Sequence, residues 1–178
     1  MENKENNGTP ISELGKFGLI FRISDTARKK NKTTVAGIGD DSAVIDSGNN
    51  LTLISTDLFL EGIHFNLIYT PLKHLGYKAV IRGISDIYAM NGTPGQVLIS
   101  LGISSRFTVE QIDELYEGIN LACEKYKVDL AGGDTTSSLT GLTIGITATG
   151  TVNKERIVKR NGARPNDLIC LTGDFGAS

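Results

Sequence analysis

Leu142-Thr143-Ile144-Gly145-Ile146-Thr147-Ala148-Thr149-Gly150-Thr151-Val152 alternates apolar with small or hydroxylated side chains along its whole length. Successive strand residues point to opposite faces, so this period of two predicts one long strand with Ile144, Ile146 and Ala148 along one side. Shorter β-branched runs precede it at Thr33–Ile38, Ala43–Ile45 and Leu51–Ser55, broken by Gly, Asp and Asn as hairpin strands are. Asp46–Asn50 has the composition of a turn, and Val97–Ile103 reads as an apolar strand. Helical spacing is expected over Ile11–Lys30, through Leu14, Phe17, Ile20 and Phe21, and over Leu72–Asn91, through Val80, Ile84, Ile87 and Tyr88. Thr108 and Gln111 fit a capping box, opening a helix that buries Ile112, Leu115, Ile119, Ala122 and Tyr126. A strand or loop then leads into Gly132-Gly133-Asp134-Thr135-Thr136, read as a turn. This order of elements predicts an α+β fold, a mixed or antiparallel sheet with helices on one face.

The chain has 178 residues, 39% hydrophobic and 21% charged, the balance of an ordinary globular protein. A net charge of −2 supplies no basic field to attract nucleic acid, and no apolar run approaches the length of a membrane span. The polar start, Met1–Gly8, lacks the apolar stretch of a signal peptide, so a cytoplasmic protein is expected. Cys123 and Cys170 each sit in an apolar pattern and are expected as buried free thiols on a helix and a strand. The basic stretch Lys29–Lys32 reads as a solvated loop. Residues 1–10 are expected as a disordered lead, 11–160 as one domain, and 161–178 as a linker opening a second, with a strand at Leu168–Thr172 and a Gly-rich turn at Gly173–Ser178.

Five aspartates lie among small or hydroxylated residues: Gly39-Asp40-Asp41-Ser42, Ser55-Thr56-Asp57, Ser85-Asp86 and Gly133-Asp134-Thr135. Such carboxylates are the hard oxygen ligands that Mg²⁺ takes. Two of them about 4 Å apart repel by ~4 kcal/mol at an effective dielectric of ~20, a cost that a divalent cation reverses. Asp40 and Asp41 are neighbours, and in extended chain only one of two neighbours faces a given site. Asp86 falls on an otherwise apolar helix, where an unpaired buried carboxylate is costly. A lone histidine such as His64 is more often a satisfied surface or core residue than a ligand group.

Taken in order, Gly37-Ile38-Gly39-Asp40-Asp41-Ser42-Ala43-Val44, Ser55-Thr56-Asp57-Leu58-Phe59-Leu60-Glu61-Gly62-Ile63-His64-Phe65, Lys78-Ala79, Ser85-Asp86-Ile87-Tyr88-Ala89-Met90, Gly132-Gly133-Asp134-Thr135-Thr136 and Arg160-Asn161-Gly162-Ala163-Arg164-Pro165 resemble the thiamine-monophosphate kinase family. That family belongs to a superfamily with aminoimidazole ribonucleotide synthetase, selenophosphate synthetase and a hydrogenase maturation protein. The resemblance implies an N-terminal domain whose sheet pairs with that of a second subunit, giving a homodimer. It implies Mg²⁺ on Asp41, Ser55, Thr56, Asp57, Asp86 and Asp134, with Asp40 supporting the turn. ATP would be contacted by Gly133, Asp134 and Arg160, and thiamine phosphate by His64. The implied activity is transfer of the ATP γ-phosphate to thiamine phosphate. No general base is implied, since a phosphate monoester with a second pKa of ~6 is already nucleophilic at neutral pH. A C-terminal domain would complete the site, and the 178 residues alone are expected to be nearly inactive. Two alternatives stand beside this: another superfamily member with a different acceptor, and a dimerisation and nucleotide-binding module without activity. One departure is local. The family's usual Asn-Leu-Ser-Asp stretch reads Gly83-Ile84-Ser85-Asp86 after Arg82, and Gly inside a helix costs ~1 kcal/mol against Ala.

Overall fold

The computed structural model describes residues 8–173. Most of the expected lead, residues 1–7, and the turn beyond Gly173 lie outside the described residues. Six strands form one sheet in the order β1-β2-β3-β6-β4-β5. They are β1 (Thr34–Ala36), β2 (Ala43–Asp46), β3 (Leu51–Leu60), β4 (Thr93–Ile103), β5 (Asp129–Ser137) and β6 (Leu142–Val152). Three α-helices join them: α1 (Ile11–Thr26), α2 (Leu72–Ala89) and α3 (Val109–Tyr126). All pairings are antiparallel except β4 with β5, where α3 makes the crossover that a parallel pair requires. The α+β architecture with a mixed sheet is the one expected.

The alternation in 142–152 makes β6 the central strand, paired with β3 on one side and β4 on the other. Its even-numbered side chains are buried without exception. Ile144, Ile146 and Ala148 meet Leu53 and Phe59 of β3 and Val97, Ile99 and Leu101 of β4 in a single core. Above them lie Leu75, Val80, Ile84 and Ile87 of α2, and Leu115 and Ile119 of α3. The odd-numbered side of β6 carries Thr143, Thr147, Thr149 and Thr151, with Leu58 and Leu98 in the neighbouring rows. α2 and α3 do not cover that face, and Leu58 is 53% exposed on it.

Several expectations need correction. β3 continues past Ser55 to Leu60, since β6 pairs with it along its full length. α1 stops at Thr26, where Ala27 turns extended, and it is kinked at Gly15 with no buried residue. The capping box on Thr108 and Gln111 is present, but Ile112 and Tyr126 are only half-buried. Gly132–Thr136 is not a turn. It runs inside β5, where it pairs with Leu98–Gly102 after a register shift that skips Ala131. The expected strand at Leu168–Thr172 does not form. No neighbouring strand completes its ladder among the described residues, and Leu168 and Ile169 are 90% and 93% exposed. Cys123 is buried as expected, whereas Cys170, on that unformed strand, is exposed; both are free thiols. No helix among the described residues is long and apolar enough to cross a membrane.

α2 sits unusually close to the sheet at Gly83. A Cβ built there lies 2.9 Å from Cδ1 and Cγ1 of Ile146, which is itself buried. Gly83→Ala gains ~1 kcal/mol of helix propensity but overpacks the core at a cost of ~1–3 kcal/mol. A net destabilisation of about 1 kcal/mol is expected in urea unfolding. Adding Ile146→Val should recover part of it, because the two positions share one contact.

Candidate functional site

The close seat of α2 determines where its polar residues fall. Ser55 is buried on the helix-facing side of β3, and its Oγ donates to the Gly83 carbonyl at 3.1 Å. Asp57 lies two residues further along the same side of the strand, and Asp86 one helical turn beyond Gly83 on the same helix face. The hydrogen bond therefore sets strand against helix so that both acids rise at one junction. Asp41 arrives from the β1–β2 loop. That loop turns through Gly39 at φ 130° and is tied down by the Ser42 N–H, which donates to Met90 Sδ at 3.2 Å. Asp40 closes the turn: its Oδ1 accepts from the Asp41 N–H at 3.0 Å and from the Arg160 N–H at 3.4 Å.

Two arginines enter the same junction. Arg160, on the short 3₁₀ turn Arg160–Gly162, donates its Nε to Asp41 Oδ1 at 3.0 Å, and a second guanidinium nitrogen reaches the same oxygen. Arg82 Nε stands 3.4 Å from Asp57 Oδ1. Asp86 has neither partner. Its carboxyl is pushed up to about 6, first by partial burial and then by the negative charges of Asp57 and Asp41, with Arg160 and Arg82 offsetting part of the rise. The hydrogen bond to Asp41 in turn holds the Arg160 guanidinium more firmly protonated. Asp41, Asp57 and Asp86 thus share one electrostatic neighbourhood.

The other predicted residues are placed differently. Thr56 points to the opposite face of β3 from Ser55 and Asp57, where its Oγ1 accepts from Thr147 Oγ1 at 3.3 Å. The Thr56 side chain is therefore turned away from the acids. Gly133 packs against β4 so closely that a Cβ would lie 1.7 Å from the Ile99 carbonyl oxygen. The ladder row from Asp57 runs through Ile146 and Ile99 to Gly133, and Asp134 stands one residue beyond. Asp134 is therefore about 14 Å from the Asp57 row, three strand spacings away, and is not among the charges acting on Asp86. His64 is exposed in the turn after β3, where its Nδ1 accepts from the Leu60 N–H at 3.1 Å. That bond anchors the ring and leaves Nε2 without a partner in the hydrogen bonds of the described residues. Alongside the Asp41 loop, Phe17, Ile20 and Phe21 of α1 line a cleft of about 1120 Å³ with Ile54, Ser55 and Arg160.

The donor set suits a hard divalent cation: carboxylates beside a hydroxyl, with Asp86 raised by partial burial and then by the like charges of Asp57 and Asp41. Among the described residues, no three His, Cys, Asp or Glu side chains are grouped as a ready-made metal cage. Asp41 and Asp57 face guanidinium groups instead. Arg82 is the functional neighbour that sequence reading missed. Its spacing of four from Asp86 on a helix is the signal that could have found it.

The raised Asp86 carboxyl fixes a pH dependence. A carboxyl whose folded pKa exceeds its unfolded value contributes stability that is full below pH ~4 and is lost as pH rises through about 6. Without divalent cations, Asp86→Asn should be more stable than the parent at pH 7.5, with the advantage shrinking towards pH 4. Thermal melts at both pH values check this, and an equal shift at both would refute the assignment.

The family model for AIR synthase related protein, N-terminal domain, matches residues 39–152, from the Asp40-Asp41 turn to the end of β6. The chain is 36% identical over 166 residues to a thiamine-monophosphate kinase of Bacillus subtilis, covering 93% of this chain and 51% of that protein. It is 36% identical over 168 residues to that of Aquifex aeolicus, covering 94% and 52%. A solved structure described as AaThiL complexed with AMPPCP and TMP superposes with a TM-score of 0.79 at 34% identity, over 89% of this chain and 48% of that one. The chain spans about half the length of the curated relatives it matches. The match embraces five of the six strands, β2 to β6, both covering helices and the aspartates of the junction, and on that ground the chain belongs to the AIR synthase related family as its N-terminal domain.

Proposed function

We propose that this chain is the ATP- and Mg²⁺-binding part of a cytoplasmic thiamine-monophosphate kinase, which transfers the γ-phosphate of ATP to thiamine phosphate. The observation that carries the reading is the junction of Asp41, Asp57 and Asp86, where partial burial first and the charges of Asp57 and Asp41 second raise the Asp86 carboxyl. Its support in kind comes from a relative solved with AMPPCP and TMP. In this reading residues 11–160 form the binding domain and 161–173 lead away from it. Asp41, Asp57, Asp86 and Asp134 would hold Mg²⁺, with oxygens of Ser55 and Thr56 beside them. Bound there, the metal neutralises phosphate charge and aligns donor and acceptor.

The chain's own residues account for the rest. Arg160 offers a guanidinium fork matched to phosphate oxygens, and the Gly133 N–H lies on the edge strand for a close backbone approach. His64, held through Nδ1, presents Nε2 to the acceptor. An oxygen of thiamine phosphate attacks the γ-phosphorus, the bond to the β-phosphate oxygen breaks, and ADP leaves. The attacking oxygen is already ionised at neutral pH, so no residue is required as a base. Positioning and charge neutralisation carry the chemistry. A homodimer fits the sheet face left uncovered by α2 and α3, with Leu58 and Leu98 at its contact.

Two measurements test the reading. The full-length protein should form thiamine diphosphate from ATP and thiamine phosphate only with Mg²⁺, and Asp57→Asn should lower kcat/KM at least ~100-fold. Calorimetry showing no Mg²⁺-dependent binding of either AMPPCP or thiamine phosphate would overturn it. For the dimer, Leu58→Glu should shift the mass seen by light scattering from two subunits to one. A parent chain that is monomeric at micromolar concentration would refute that contact.

A further inference from the structure

The acidic junction carries a cation that no part of the proposed reaction uses. Arg82 leaves α2 one turn before Asp86, on the side of the helix that faces β3. Its Nε pairs with Asp57 at 3.4 Å, and its guanidinium carbon lies 5.0 Å from the centroid of the Phe59 ring. Phe59 is buried and fixed, so the ring forms a platform that keeps the guanidinium at the site whichever anion it addresses. The Arg82 side chain is 45% exposed, against 19% for Asp57. The guanidinium therefore reaches in from solvent to an acid that is mostly covered. Arg160 does the same for Asp41 from the far end of the chain. Each of these carboxylates must give up its arginine, at least in part, before it can ligate a metal, since both cations compete for the same oxygens.

We propose that Arg82 is a resident counter-cation of this site, holding Asp57 until a divalent cation takes it and then turning its guanidinium to the phosphate groups of the nucleotide. This rests on the reading of the junction as a metal-binding nucleotide site. The chemistry is that of exchange between ion pairs. A guanidinium and a divalent cation neutralise the same carboxylate, and a freed guanidinium has a planar donor fork that fits a phosphate. The Phe59 platform makes the turn a pivot of the head group, with the stem left in place.

The two halves of the exchange predict opposite signs. In Arg82→Gln, Mn²⁺ alone should bind about threefold more tightly than in the parent, because the competing ion pair is gone. With saturating Mg²⁺, AMPPCP should bind about threefold to tenfold more weakly, because a phosphate partner is gone. Arg82→Lys, which keeps the charge, should stay within about twofold of the parent for Mn²⁺. Titration calorimetry on the full-length protein reads both affinities without turnover. A purely structural residue would weaken both together, and that result would overturn the proposal, as would unchanged Mn²⁺ affinity in Arg82→Gln. Should Arg82→Gln lower the melting temperature, Arg82→Met keeps an apolar stem at this position without the charge and carries the same comparison. Absence of Mn²⁺ binding in parent and variants alike would instead refute the metal-site reading underneath.

Discussion

The seat of α2 against β3 and β6 is the constraint from which the rest of the molecule follows. Gly83 has no side chain to hold the helix off Ile146, and the Ser55 hydroxyl reaches the Gly83 carbonyl across the gap. A helix laid this close on a sheet has little freedom to slide, because interior packing is crystal-like in density. Register between strand and helix is therefore fixed to within a residue. That register brings the carboxylate of Asp57 and the carboxylate of Asp86 to the same rim of the core. The residue that departs from the family's usual Asn is thus one where the helix leaves no room for a side chain against the sheet.

Around that rim the charges are nearly balanced by pairs. Asp41 and Asp57 meet an arginine each, and the unpaired Asp86 is raised by its partial burial first and by their charge second. The arginines come from distant parts of the chain, Arg82 from within α2 and Arg160 from beyond β6. The Asp41–Arg160 pair therefore also ties the segment after the sheet back onto the β1–β2 loop. A single set of contacts secures a loop, a helix and the chain's exit from the domain.

Much of this was legible in residue order because the signals were local. The period of two in 142–152 placed the central strand, and Thr108 with Gln111 placed the start of α3. β5 was not legible as a strand. Gly132 and Gly133 read as turn residues, and the strand is specified by its parallel partner across α3 and by a backbone approach to Ile99 that leaves no room for a side chain. Leu168–Thr172 erred the other way, since an apolar run becomes a strand only beside an available edge. At the site, the resemblance brought out the individual aspartates, but their grouping is a product of tertiary packing. Asp41, Asp57 and Asp86 converge through the α2 seat, whereas Asp134 stays three strands away along the ladder. Arg160 came with the resemblance, whereas Arg82 was missed, since its pairing with Asp57 on another element leaves no periodic trace.

The threonines along the outward side of β6 have a consequence for hydration. Thr143, Thr147, Thr149 and Thr151 present a methyl and a hydroxyl each, so that face is wetted at every outward position except Gly145 while keeping the branched shape that favours a pleated strand. Hydroxyls there already bond across strands, Thr147 to Thr56 and Thr149 to Gln96. A surface built this way draws hydration water to its hydroxyls, beside the exposed Leu58 and Leu98. Any body that covers it must displace that water hydroxyl by hydroxyl, so affinity there depends on how well its own polar groups match the threonine spacing, and little on contact area alone.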